Sequence, residues 1–135
     1  MLRGRRTIRE KKRKKGFMAN LDLGVHEFKP EDFLKLVQQH DDFTIVCGSK
    51  SYLQIHVPTK WVQLGKTTRG TDYLTCRNKR KRDGHLFKIY GSKFVFNITD
   101  TAHGLSGVLK TDRSDDEFVV SMWRTEGFVF DSDDE

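Results

Sequence analysis

The sequence predicts an α+β domain, with one N-terminal amphipathic helix packed on a curved antiparallel sheet or small barrel of about seven strands. Three observations predict it. Only residues 28–40 carry apolar side chains at helical spacing. From Phe43 onward, short apolar or alternating runs are separated by turn residues. Ten Phe in 135 residues is a high number, and they cluster in those runs.

Residues 18–28 show no sustained period and read as an extended lead-in. The helix follows. Pro30 suits its first position, where a backbone N–H would have no intrahelical partner. Glu31 and Asp32 complement the positive end of the helix dipole. Phe33, Leu34, Leu36 and Val37 share one broad face that must pack on something. Asp41 and Asp42 end it. Residues 43–47 form a β-rich run closed by Gly48-Ser49-Lys50. Residues 51–57 alternate, with Leu53, Ile55 and Val57 opposite Tyr52, Gln54 and His56, and Pro58 marks an edge or a strand end. Residues 60–64 read as a strand and 65–70 as a polar loop. Residues 72–77 and 85–90 read as two strands around 78–84, where Asp83-Gly84 is a good hairpin-turn pair. Residues 94–99 form a strand, Gly104 and Gly107 flank a loop, and 117–124 and 127–130 close the domain. Residues 45–50 and 88–93 both end in Gly-Ser-Lys, which reads either as a duplicated hairpin or as ordinary turn chemistry.

Charge is sorted into blocks along this frame. Residues 1–17 carry nine Lys and Arg against Glu10. Residues 18–43 sum to −4, residues 44–99 to +9 with only Asp72 and Asp83 as acids, and residues 100–135 to −7. The +9 field attracts polyanions. Its densest part is Arg77-Asn78-Lys79-Arg80-Lys81-Arg82, five cations in six residues at a hairpin tip. Cations so close repel one another unless an anion lies nearby. A basic β-ribbon can enter a groove or track a phosphate backbone, with counterion release making the binding salt-dependent. Lys66, Arg69, Lys88 and Lys93 belong to the same block. Aromatics are interleaved with it. Phe87, Phe94 and Phe96 are expected in the core, whereas Trp61, Tyr73 and Tyr90 carry polar atoms that tolerate a wet surface and suit stacking on bases.

These residues together make nucleic acid, DNA or RNA, the expected partner. The rival reading is a protein–protein effector or adaptor, such as a viral factor on a host protein. It would use the acidic ends and the helix face, and dock the basic hairpin on an acidic protein surface.

No catalytic motif is present, and neither enzyme activity nor a cofactor is expected. The five His have no metal-ligand spacing with one another or with the two Cys. Cys76 and His85 can approach across the hairpin, yet no third group is at hand to orient them. Gly65-Lys66-Thr67-Thr68 ends like a phosphate-binding loop, but the earlier Gly is replaced by Lys60 and no helix follows. There is no run of 18 apolar residues, so no membrane partner is expected. The basic N-terminus is not followed by the apolar segment a secretory signal needs. Cys47 and Cys76 read as buried thiols, and the expected location is the cytoplasm, or the nucleus in a eukaryote.

Residues 18–130 read as the single domain. Residues 1–17 have two readings. One is a disordered basic arm on nucleic acid. The other lies at the level of the gene: codons for Lys15-Gly16 always contain AGG a few bases before the Met18 codon, as a ribosome-binding site does. That reading puts the start at Met18 of a bacterial or viral gene, whose product would be a small regulatory factor. The acidic tail 131–135 has three readings: a solvated end, a cover over the basic block, or a contact for a basic partner.

Overall fold

Alternation along each strand decides which face is buried. The structure is a computed structural model that describes residues 20–80 and 86–125, with Ser51 and Tyr52 described by backbone alone. The described residues form β1 (Leu21–Phe28), α1 (Pro30–Val37), β2 (Asp42–Cys47), β3 (Lys50–Pro58), β4 (Val62–Lys66), β5 (Asp72–Arg77), β6 (Leu86–Tyr90), β7 (Phe94–Asp100), β8 (Gly104–Thr111) and β9 (Ser114–Trp123). A 3-10 turn, Thr59–Trp61, precedes β4. All pairing is antiparallel. One sheet has six strands in the order β1-β7-β8-β9-β2-β3, and the other has three in the order β4-β5-β6.

The two sheets and the helix bury one common core. Phe43 and Ile45 of β2, Phe94 and Phe96 of β7, and Val120 of β9 supply it from the large sheet. Val62, Leu74 and Ile89 supply it from the small one. Phe33 of α1 is fully buried, with its ring 5.6 Å from Phe94 and 5.5 Å from Phe96, the latter edge-on. Edge-on packing sets the positive rim of one ring against the negative face of another. Phe87 of β6 meets Phe118 of β9 in the same manner at 6.5 Å.

Several expectations are corrected. The sheets are open, not a barrel, because β6 pairs only with β5 and β3 only with β2. The apolar faces are satisfied by layering, so closure is not needed. There are nine strands among the described residues, against about seven expected. Residues 21–28 are a strand, so the helix follows β1 instead of opening the domain, and it covers eight residues instead of the expected 28–40. Gly104 and Gly107 lie within β8 instead of flanking a loop. Gly48-Ser49 joins the paired strands β2 and β3, whereas Gly91-Ser92-Lys93 carries the chain from one sheet to the other, so there is no duplicated hairpin. Pro58 does end β3, an edge strand. The basic arm, the strand expected at 127–130 and the acidic tail lie outside the described residues.

Beyond α1 the chain turns at His40, whose Nδ1 lies 3.0 Å from the Leu36 carbonyl oxygen. A carbonyl only accepts, so Nδ1 carries the proton. Burial holds the His40 pKa below its usual 6.5, and the Arg124 guanidinium pushes it the same way, outweighing the Leu36 carbonyl.

Two predictions follow from this packing. Phe33→Ala should cost about 3–5 kcal/mol in denaturant unfolding, since a fully buried ring leaves a cavity among other rings. A loss below about 1 kcal/mol would mean that α1 is not part of the core. The depressed pKa of His40 favours the fold at high pH. Its contribution is complete above about pH 6.5 and is lost as pH falls through the lower folded value. The thermal midpoint should therefore drop between pH 7 and pH 5, and His40→Asn should flatten that slope.

Candidate nucleic-acid interface

Pairing in the small sheet sorts its side chains cleanly. Leu74 faces Ile89 and Cys76 faces Phe87 across the register, and all four point into the core. Period-2 alternation then turns Tyr73, Thr75 and Arg77 of β5 outward beside Tyr90, Lys88 and Leu86 of β6. The Tyr73 and Tyr90 rings are tilted against each other with centres 5.2 Å apart. The Lys88 ammonium sits 5.1 Å from the centre of the Tyr73 ring, a cation–π contact. On the far side of Tyr73 lies Gly65, its register partner. A Cβ at Gly65 would come within 2.4 Å of the Tyr73 ring, so a bare glycine is what lets that ring lie across β4. The result is an outer face with two tyrosines and two cations in neighbouring positions.

The other expected site residues take different places. Arg69 is exposed on the β4–β5 loop, where Thr71 N–H donates to Thr67 Oγ1 at 3.0 Å. Lys79 and Arg80 are exposed beyond the other end of β5. The Arg80 guanidinium lies 5.3 Å from the centre of the half-buried Trp61 ring, so Trp61 already carries a stacked cation. Lys66 is held by Asp72 at 2.6 Å and Lys93 by Glu27 at 3.6 Å, so both are partly neutralised. Lys81 and Arg82 lie outside the described residues. Among the described residues no carboxylate pairs with Arg69, Arg77, Lys79, Arg80 or Lys88.

Sequence reasoning missed Lys50 and Arg113. Both line a cleft of about 390 Å³ that runs along the free edge of β6. Its floor is apolar, with Cys47, Leu53, Phe87 and Phe118, and its rim carries Lys88 and Asp116 as well. A second hollow of about 450 Å³ adjoins it, lined by Thr67, Thr68, Arg69 and Thr71, and the two share Tyr90 and Arg113. Arg113 could not be found from the sequence, because it sits in the acidic block and reaches the cleft only through the β8–β9 turn.

The chemistry of Cys76 runs against nucleophilic use. Burial pushes its thiol up to about 12, so it stays protonated at neutral pH. His85, its expected neighbour, lies outside the described residues. Among the described residues no three His, Cys, Asp or Glu gather as a metal site, and no helix is long and apolar enough to cross a membrane.

The placement of Tyr73 is directly testable. Gly65→Ala should cost about 1–3 kcal/mol in chemical unfolding by forcing the ring off β4. In a Tyr73→Ala background the same change should cost much less, because nothing remains to be displaced. Equal costs in both backgrounds would show that the ring does not cover Gly65.

No family model, curated protein or solved structure matches this chain, so its functional reading rests on the geometry of this face.

Proposed function

We propose that this protein binds nucleic acid on the outer face of β4-β5-β6. Tyr73 and Tyr90 form the stacking platform. Arg77 and Lys88 hold phosphates beside it, and Arg69 at one end with Lys79 and Arg80 at the other extend the track. The observation that carries this reading is the tyrosine pair, 5.2 Å between centres, with Lys88 over one ring and Arg77 on the same outer face. Stacking on an aromatic contributes about 1–3 kcal/mol per base, and each neutralised phosphate adds counterion release. Lys81 and Arg82 follow Arg80 in the sequence and add two cations to the same run. Trp61 takes part through Arg80, whose guanidinium can stack on a base while it stays on the indole. The aromatic face favours unpaired bases, since a duplex keeps its bases stacked on one another.

The test is anisotropy of a labelled single-stranded oligonucleotide across a salt series, with unlabelled competitor. Arg77→Ala combined with Lys88→Ala should weaken binding and flatten the plot of log affinity against log salt by about 1.4 units. Tyr73→Leu combined with Tyr90→Leu should weaken binding about tenfold or more with the salt slope unchanged. If the wild-type chain binds no oligonucleotide at about 0.15 M salt, the proposal fails. Retention of an acidic protein under the same conditions would then favour the adaptor reading.

A further inference from the structure

We infer that the cleft along the free edge of β6 holds one unpaired nucleotide unit, its base on the apolar floor and its phosphate in the adjoining hollow. This rests on the reading of the neighbouring sheet face as a nucleic-acid surface, and it adds to that face's preference for unpaired bases. The cleft volume, about 390 Å³, is within the usual size of a small-molecule site. Phe87 and Phe118, edge-on at 6.5 Å, give its floor an aromatic surface for a flat ring.

The polar groups are sorted by type around this floor. On one wall Asp116 accepts a hydrogen bond from Ser49 Oγ at 3.1 Å. A carboxylate repels phosphate but accepts from the amino edge of a base. Arg113 Nη2 donates to Thr71 Oγ1 at 3.0 Å, and Arg113 lines both hollows. Beyond it the second hollow offers hydroxyls of Thr67 and Thr68 and the guanidinium of Arg69. Hydroxyl and guanidinium donors around one point match the acceptors of a phosphate. The cleft with Phe87 and Phe118 in its lining and the hollow with hydroxyl and guanidinium donors share one wall, Tyr90 with Arg113, as a base and its phosphate share one sugar. An acidic peptide strand laid on the edge of β6 is the competing occupant. It would satisfy the cations and hydroxyls, but Asp116 in the same cleft would repel its acids.

The unit has two sources, a free mononucleotide or a residue of a strand, and one experiment separates them. The full chain is titrated with a labelled single strand, with the same sequence as a duplex, and with adenosine 5′-monophosphate as competitor. Lys50→Trp fills the mouth of the cleft from an exposed position, and Arg113→Ala removes its divider. The wild type should prefer the single strand to the duplex by about tenfold. Both variants should lose about threefold of that preference, the remainder being the sheet face's own, with the affinity for duplex changed by no more than about twofold, because neither residue is on the sheet face. Competition by the mononucleotide only at millimolar concentration assigns the site to a strand, and competition at micromolar concentration assigns it to the free nucleotide. An unchanged preference in both variants overturns the inference and leaves the sheet-face reading intact. Absence of binding to any of the nucleic acids removes both. Displacement by an acidic peptide, residues 126–135 of this chain, below the concentration that the mononucleotide needs overturns the inference in favour of a peptide site.

Discussion

A layer half as wide as the sheet beneath it must bury that sheet's apolar face, and the rest of the structure depends on how it does so. Three strands cannot cover six. At one end α1 supplies the missing cover, with Phe33 set between Phe94 and Phe96 of β7. In the middle Phe87 reaches down to Phe118. At the other end β5 lies against β3, and β6, paired only with β5, keeps a free edge. That edge lines the cleft together with Cys47 and Leu53. Closing the two sheets into a barrel would have paired that edge with another strand and removed the cleft. The open architecture is therefore what leaves a concave apolar surface next to a flat aromatic one.

The same layering divides the charge. On the large sheet cations meet acids: Lys110 lies 3.3 Å from Glu117, and Lys93 pairs with Glu27. In the small sheet the one such pair is Lys66 with Asp72, among the described residues, and Arg77 and Lys88 face outward without a carboxylate. Exposed pairs contribute little to stability, but they cancel field locally. Arg69, Arg77, Lys79, Arg80 and Lys88, none paired with a carboxylate among the described residues, lie on or beside the layer that also carries the two tyrosines. The proposed nucleic-acid contact therefore falls on a layer where cations and an aromatic face lie together.

How much of this could be read from the residues varies with the range of the interaction involved. Alternation is local, so the outward direction of Tyr73, Tyr90, Arg77 and Lys88 follows from Leu74, Cys76, Phe87 and Ile89 being apolar. Pro30 and the two acids after it likewise mark the start of α1 locally. β1 was hidden because its large side chains, Leu21, Leu23 and Val25, are exposed, while the register shifts between Asp22 and Gly24. It is a strand because β7 pairs with it, and that partner is some 70 residues away. The glycines of β8 misled for a related reason: β7 and β9 on both sides hold that segment extended against its own propensity. Arg113 is the clearest case. Nothing within its acidic neighbourhood signals a cationic cleft, and only the path of the β8–β9 turn brings it there.

The acids of the β8–β9 hairpin act as anchors for two turns. Ser49 Oγ donates to Asp116 at 3.1 Å, and Gly48 N–H donates to the Glu117 carbonyl at 2.7 Å. Ser92 donates to Asp112 twice, through its hydroxyl at 2.6 Å and its backbone N–H at 2.9 Å. The Ser92 hydroxyl, joined by the N–H groups of Ser92 and Lys93, holds the Asp112 carboxyl below its usual range, so it stays ionised and engaged. Both Gly-Ser-Lys turns, one inside the large sheet and one between the sheets, are thus fastened to the same hairpin. Those two turns carry Lys50 on one side of the cleft and follow Tyr90 on the other. The carboxylates keep their charge while they anchor these turns, and Arg113, between Asp112 and Asp116 in sequence, donates to Thr71 and lines the hollow.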